Sequence, residues 1–341
     1  MIHNRASKWL SAFIRKETIP HALLFTGIEG VGKRTSAMTF AMACNCPSVV
    51  SCQSSVVSGP LTTDNGQLTT DNGPCGDCRS CRKIRSGSHP DISLVEPSGT
   101  FIRIAQIREL CHTLSMKPYE ARMRVVIIAN AQAMNPEAGN ALLKVLEEPP
   151  ERTVLILTAI QTSDLLPTIV SRCQHIRFDP IPRERLETLL LEKKQIRPDD
   201  AEVIATLANG SYSKAFSISR TNWINRRKWL IRELESLVIE KQGHGTARML
   251  AFAERLSKNK DILPDLLEVM KTWLRDIVVC KYDPEKIINR DLGDSIQHAS
   301  RKITVASLLS KIKSVDSARK NLRANANLRL TMEVLVCQLS F

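Results

Sequence analysis

The chain has 341 residues, of which 43% are hydrophobic and only 4% aromatic, so it is long enough for two or three domains with mainly aliphatic cores. Its formal net charge of +13 favours a polyanionic partner, either nucleic acid or a complex that handles it, although a basic surface that only aids solubility has the same composition. No uncharged segment reaches the about 18 residues that span a bilayer, and the N-terminal residues lack the apolar core of a signal peptide, so we expect a cytoplasmic protein without a membrane partner.

The first half of the chain alternates between strand and helix patterns. Apolar runs predict five strands: HALLFTG, DISLVEP, MRVVIIAN, TVLILTA and HIRFDP. The segments between them predict helices: SAMTFAMAC, IAQIRELCHTL, EAGNALLKVLEE and LLPTIVSRC. This alternation implies right-handed crossovers and a mainly parallel sheet as far as about residue 178. Beyond Pro182 the strand patterns end, and the helical patterns that follow predict an all-α remainder.

A polar segment at residues 47–74 interrupts the alternation. It is rich in Ser, Thr, Asn, Gly and Asp, and it contains LTTDNG twice, at 61–66 and at 68–73. Two copies of a six-residue polar unit bury little apolar surface, so we interpret the segment as a flexible inserted loop rather than a repeat domain.

The stretch GIEGVGK follows the first predicted strand and precedes a predicted helix. It places Gly27, Gly30, Gly32 and Lys33 in the spacing GxxxxGK. Glycines allow backbone N–H groups to surround phosphate oxygens, the helix N-terminus adds favourable partial charge, and Lys33 would reach the β- and γ-phosphates. A glycine turn without a ligand is the alternative. We predict a phosphate-binding loop for ATP or ADP that also includes the next two residues, Arg34 and Thr35.

Hydrolysis requires Mg²⁺, which a Ser or Thr directly after the lysine normally binds together with an acidic residue at the end of a nearby strand. Here Arg34 follows the lysine, and Thr35 is turned about 100° around the helix. The strand that should supply the acid ends in Ala129 and Asn130. We therefore expect that nucleotide binds without efficient turnover, with Arg34 neutralising phosphate charge.

Three cysteines in the stretch PCGDCRSC, namely Cys75, Cys78 and Cys81, have the spacing C-x₂-C-x₂-C. Cysteines in a reducing compartment are more often metal ligands or core residues than disulfides. Thiolates at this spacing can converge on one zinc ion, which a fourth ligand would complete. Cys44, Cys46 and Cys52 are the candidates for that ligand. An iron–sulfur cluster needs a fourth cysteine soon after Cys81, and the next one is Cys111.

These motifs together resemble a known family. The segments HALLFTGIEGVGK, the cysteine cluster, HPDISLVEP, NALLKVLEEPP, LLPTIVSRC and NLRANANLRLTMEVL occur in the order found in bacterial DNA polymerase III clamp-loader subunits of the AAA+ class. The motor subunits of that class, gamma and tau, carry an Asp-Glu pair at the positions of Ala129 and Asn130. The absence of this pair, together with Arg34, makes the chain more similar to the delta-prime subfamily than to the motors.

The resemblance implies a domain organisation and a set of partners. It implies a RecA-like AAA+ domain at 1–178 with a zinc module at about 44–81, a helical lid at 179–222, and a helical collar for oligomerisation at 223–341. Members of the family form a hetero-pentamer of gamma/tau, delta and delta-prime subunits in the cytoplasm of bacteria. This complex of the DNA polymerase III holoenzyme loads the sliding clamp onto primer-template DNA. In it, delta-prime is mainly a stationary partner whose own ATPase is expected to be negligible.

The resemblance also assigns roles to individual residues. Arg172, in the motif SRC, would act in trans as an arginine finger on the neighbouring ATPase subunit. Cys46 would be the fourth zinc ligand. Thr158 would lie near the sensor that polarises water, although an ordinary strand residue is an equal interpretation of it.

Two other functions share part of this sequence pattern. An ATP-hydrolysing gamma/tau-like motor would need other metal ligands, for which Asp91 and Glu96 are the candidates. A P-loop nucleotide kinase shares the glycine pattern, but it needs acidic and arginine substrate residues in a lid, and it does not account for SRC or the helical tail.

Overall fold

The computed structural model describes residues 4–16, 18–51, 73–194, 196–220, 223–239, 245–258 and 260–340. Cys52 and both copies of LTTDNG lie outside these residues, except that Gly73, the last residue of the second copy, is described. The chain divides into two compact units, one made of Met1–Pro182 and Asn209–Lys214, the other of Arg183–Ala208 and Ala215–Phe341. Within the described part of the chain, no helix is both long and apolar enough to cross a membrane.

The first unit is built on a five-stranded parallel sheet in the order β2-β3-β4-β1-β5. Its strands are β1 Ala22–Thr26, β2 Ile92–Val95, β3 Arg124–Ile128, β4 Thr153–Ala159 and β5 Gln174–Arg177. Every residue of β1, β3 and β4 is buried. Their continuous apolar runs agree with this position, because a central parallel strand is covered on both faces.

Helices flank the sheet of the first unit. They are α1 Asn4–Arg15, α2 Lys33–Asn45, α3 Pro47–Ser51, α4 Arg79–Ser86, α5 Ile104–Leu114, α6 Pro136–Glu147 and α7 Pro167–Val170. One apolar core joins β1, β3 and β4 to α5, α6 and α7, with Leu24, Val126, Leu142 and Leu155 fully buried. Strands β3, β4 and β1 are adjacent and parallel, so the loops that follow them lie at the same end of the sheet.

The second unit is helical, and the helix at Tyr212–Arg220 begins within the segment that belongs to the first unit. The remaining helices are α8 Arg183–Lys194, α9 Pro198–Ala208, α10 Tyr212–Arg220, α11 Trp223–Ile239, α12 Thr246–Ser257, α13 Leu263–Cys280, α14 Gly293–Lys302, α15 Val305–Arg323 and α16 Leu328–Ser340. Helix α13 carries the central side chains, and its Trp273 and Leu274 are completely buried.

A buried polar network joins three elements of the second unit. Asp276, on α13, accepts hydrogen bonds from the backbone N–H groups of Ile288 and Asn289. Buried Arg227, on α11, donates to Asn289 and pairs with Asp291. Each buried charge in this network has a hydrogen-bonding partner, which its burial requires.

The predicted fold class is confirmed: a parallel α/β domain of the AAA+ type with a four-cysteine insertion is followed by a helical domain. The further division into a lid at 179–222 and a collar at 223–341 stays a prediction.

Candidate nucleotide pocket, cysteine cluster and exposed arginine

The predicted phosphate loop joins β1 to α2 through backbone that requires glycine. Gly27, Gly30 and Gly32 have φ angles of 148°, 73° and 110°, a region that residues with a Cβ rarely adopt. At Gly27 a Cβ would also overlap the carbonyl oxygen of Phe178. Helix α2 begins at Lys33, so the loop ends at the positive pole of a helix.

Lys33 is held inside this loop. Its ammonium group donates hydrogen bonds to the carbonyl oxygens of Gly27 at 2.6 Å and Ile28 at 3.0 Å, and the residue is only 8% exposed. Burial lowers the pKa of Lys33, and the negative charge of Glu29 partly offsets that effect. The positive charge is therefore fixed next to the glycines, where a phosphate would bind.

An open cleft of about 250 Å³ lies beside the loop, at the edge where β3 and β4 end. The residues that line it are Glu29, Lys33, Pro97, Gly99, Thr100, Asn130, Gln132, Ala133 and Ile160. Among these described lining residues, Glu29 is the one carboxylate. Arg34 and Thr35, which we predicted to bind phosphate, are both exposed, and the guanidinium of Arg34 lies 2.5 Å from the carboxylate of Glu96.

The end of β3 carries no acidic side chain. Ala129 is buried, and Asn130 follows it with a φ of 54°. The backbone N–H of Asn130 donates to the hydroxyl oxygen of Thr158, on β4, at 3.1 Å. Thr158 thus lies beside the residue that replaces the acid, and its hydroxyl accepts a hydrogen bond from that residue.

The two acidic residues considered as substitute metal ligands have other partners. The Asp91 carboxylate is buried and accepts hydrogen bonds from the backbone N–H groups of residues 119–121, while Arg124 lies 3.6 Å away. Burial alone would raise the pKa of Asp91, but these donors and the charge of Arg124 hold it below its usual value. Glu96 is paired with Arg34. Both side chains would have to leave these partners to bind a metal.

Four cysteines converge between α2 and α4. The sulfur atoms of Cys46, Cys75, Cys78 and Cys81 all lie within 4.8 Å of one another. Sulfurs bound tetrahedrally to one zinc ion are about 3.8 Å apart, so the set fits that metal. Backbone N–H groups donate to three of these sulfurs at 3.4 Å. Hydrogen bonds from the N–H groups of Cys78 and Asp77 help to lower the pKa of Cys75 to about 6, which favours its thiolate.

The other candidates for the fourth ligand stand apart. Cys44 is buried in α2 and is not among the four clustered cysteines, and Cys52 lies outside the described residues. His89, the nearby histidine that could also ligate a metal, is buried, and its Nδ1 accepts the N–H of Asp91 within the turn before β2. The four-cysteine cluster is therefore the arrangement consistent with a structural zinc ion.

Arg172 lies two residues after the end of α7, with its side chain 35% exposed. Its Nη1 donates to the carbonyl oxygen of Thr168 at 2.9 Å, and its Nη2 lies 2.7 Å from the carboxylate of Glu147, the last residue of α6. The segments NALLKVLEEPP and SRC are thus in direct contact. Sequence reasoning did not single out Glu147, because no local spacing relates it to Arg172.

Two family models match the chain. The model described as "DNA polymerase III, delta subunit" matches residues 60–182, and "DNA polymerase III, delta subunit, C terminal" matches residues 221–340. The DNA polymerase III subunit delta' of Bacillus subtilis is 31% identical, covering 98% of this chain and 95% of its own length. The delta' subunit of Pseudomonas aeruginosa is 29% identical over 93% and 91%. Subunit tau of Bacillus subtilis is 25% identical over 98% of this chain but only 60% of tau.

Proposed function

Because the chain belongs to the DNA polymerase III delta-prime (delta') family of clamp-loader subunits, we propose that it is a largely non-hydrolysing stator of the clamp loader. In this proposal it supplies Arg172 to the ATPase site of a neighbouring motor subunit. The observation that carries the proposal is the end of β3, where Ala129 and Asn130 stand in place of a metal-binding acid. The alternative, a gamma/tau-like motor, has to recruit Asp91 or Glu96, and both carboxylates have other partners.

The phosphate loop is suited to hold ATP or ADP without turning it over. Three glycines with positive φ and the buried ammonium group of Lys33 form the kind of loop that receives phosphate oxygens. Mg²⁺ is the group that would activate the γ-phosphate. Its usual protein ligands are replaced by Arg34, Ala129 and Asn130, so bound nucleotide would serve conformation or assembly rather than hydrolysis.

Arg172 has the chemistry of a residue that acts on a neighbour. A planar guanidinium offsets the negative charge that develops during phosphoryl transfer. Its side chain is 35% exposed and is anchored to Glu147 and Thr168, so the cation is accessible as well as oriented. If this subunit does not hydrolyse ATP itself, the guanidinium of Arg172 can assist catalysis only at the ATPase site of another subunit.

The cysteine cluster is proposed to bind one structural zinc ion. Zinc would link Cys46, at the end of α2, to Cys75, Cys78 and Cys81, around the start of α4. Four thiolates leave no open position on the metal, so a catalytic role is not part of the proposal.

The helical domain is proposed to mediate assembly. Helix α16 exposes Leu330, Val334 and Cys337, a spacing of four and three residues that places them on one helix face. We assign residues 179–222 to a lid and 223–341 to a collar that packs against gamma/tau and delta subunits in a hetero-pentamer. The sliding clamp and primer-template DNA are then engaged through the complex.

The direct test of the stator proposal is phosphate release by the purified chain alone. We expect no turnover above that of the Lys33→Ala variant, and we expect ATPase activity once motor subunits are added. Turnover by the chain alone at the rate of a competent motor, abolished by Lys33→Ala, would favour the alternative function.

A further inference from the structure

We propose that Glu147 is a positioning residue that orients the guanidinium of Arg172. This inference rests on the proposed function, because it concerns how the finger is presented to the neighbouring subunit. The observation behind it is the 2.7 Å distance between Glu147 Oε1 and Arg172 Nη2.

The guanidinium is held from two sides. Its Nη1 donates to the carbonyl oxygen of Thr168 at 2.9 Å and contacts the hydroxyl oxygen of Ser171 at 3.4 Å. Glu147 holds Nη2 from a different helix. A long side chain with two independent anchors has fewer conformations to lose when it meets a phosphate, and this preorganisation lowers the cost of binding.

Both anchors belong to the same packed body. Leu142 and Leu146 of α6 and Ile169 of α7 lie in one buried core. The two helices also approach closely at Gly139, where an added Cβ would lie 2.9 Å from Leu166 Cδ1. Because α6 and α7 are packed together in this way, the Glu147 carboxylate is a fixed reference for the arginine.

The pairing leaves the arginine able to act. A guanidinium has five N–H groups, and its hydrogen bonds to described residues are both donated by Nη1, while Glu147 forms an ion pair with Nη2. The Nε–H donates no hydrogen bond to a described residue, so it can meet a phosphate oxygen while the Glu147 contact is kept. Both side chains are partly exposed, at 35% for Arg172 and 50% for Glu147. We therefore expect the pair to stabilise the orientation of the guanidinium only as much as one surface ion pair does.

The experiment compares assembled clamp loaders that contain wild-type chain, Glu147→Ala, Glu147→Gln, Arg172→Ala or the double variant Glu147→Ala/Arg172→Ala. Glu148→Ala is the matched control, because Glu148 is the adjacent exposed carboxylate of the same motif. The measurements are DNA-stimulated ATP hydrolysis, with kcat and KM separated, and the extent of assembly.

Glu147→Ala should lower kcat at the affected site by about two- to fivefold, less than Arg172→Ala does, with Glu147→Gln between it and wild type. Assembly and the Glu148→Ala rate should be unchanged, and the double variant should match Arg172→Ala, since Glu147 acts only through the arginine. The positioning role is contradicted if Glu147→Ala still lowers the rate when Arg172 is already alanine. It is also contradicted if the rate of the single variant Glu147→Ala equals that of Glu148→Ala or exceeds that of wild type. If Arg172→Ala itself changes nothing, the proposed function fails instead.

Discussion

The guanidinium of Arg34 lies 2.5 Å from the carboxylate of Glu96. Arg34 stands where a hydroxyl residue normally binds Mg²⁺, and Glu96 is one of the two candidates for a substitute metal ligand. The two side chains are therefore paired with each other. The candidate nucleotide site lacks both usual protein ligands of Mg²⁺, one at the start of α2 and one at the end of β3. These two deficits are separate, so the proposed loss of hydrolysis can be tested by repairing one of them.

Arg34→Thr should not create an ATPase. The substitution supplies the hydroxyl that normally binds Mg²⁺, but Ala129 and Asn130 still leave the metal without a carboxylate. Steady-state phosphate release by the purified variant should stay at the level of Lys33→Ala. Turnover by Arg34→Thr that Lys33→Ala abolishes would mean that another residue, such as the released Glu96, completes the metal site.

Purified chain should contain one zinc ion, and Cys46→Ala should lose it. The matched control is Cys44→Ala, because both cysteines are buried at the C-terminal end of α2 but only Cys46 belongs to the cluster. Metal analysis should show about one zinc for wild type and Cys44→Ala, and a chelator should lower the Tm of both, because metal binding contributes to folding. Zinc-free wild-type protein, or full zinc content in Cys46→Ala, contradicts the assignment.

Asp91→Ala should destabilise the first unit by about 2–4 kcal/mol. The change leaves the N–H groups of residues 119–121 without their acceptor and removes the carboxylate beside the buried Arg124. Denaturant unfolding measures the loss, and nucleotide affinity measured on the still-folded protein should not change. A folded variant that keeps its stability but loses nucleotide affinity would instead support Asp91 as a ligand of the nucleotide site.

The Asp91 carboxylate should also make the stability of the fold depend on pH in the acidic range. Because the pKa of Asp91 is lower in the folded than in the unfolded chain, its stabilisation is present above the unfolded value of about 3.9. That stabilisation is lost as pH falls through the folded pKa. The difference in unfolding free energy between wild type and Asp91→Asn should therefore shrink below about pH 4. A difference that stays constant across this range would show that ionisation of Asp91 contributes nothing.

The sheet and the turn formed by the glycine-rich loop could be predicted from the sequence because their signals are local. Apolar runs such as RVVII form buried strands, and the three loop glycines have the positive φ angles that only their type adopts easily. The cysteines at 75, 78 and 81 were equally clear from their spacing. The fourth, Cys46, lies across a polar segment, so spacing alone could not separate it from Cys44 and Cys52.

Contacts between residues far apart in sequence could not be predicted. Asp91 was considered as a metal ligand, whereas its carboxylate accepts hydrogen bonds from backbone N–H groups near residue 120. Arg34 pairs with Glu96, a contact that no local spacing indicates, and its binding to phosphate stays a prediction. The Glu147–Arg172 pair joins two motifs that were recognised separately. Each of these pairings depends on how the helices pack on the sheet, which periodicity does not specify.

The most direct test of the account is the ATPase and clamp-loading rate of loaders assembled with Arg172→Ala. Arginine fingers contribute about 10³–10⁵ in rate at one site, and the whole complex should lose less because it has several sites. Arg172→Lys should recover only part of the rate, because an ammonium lacks the planar fork. Arg177→Ala, at an arginine that is 75% exposed, is the control. We predict that at equal assembly Arg172→Ala lowers both rates while Arg177→Ala does not; unchanged rates for Arg172→Ala would contradict the proposal that this chain supplies a catalytic arginine to its neighbour.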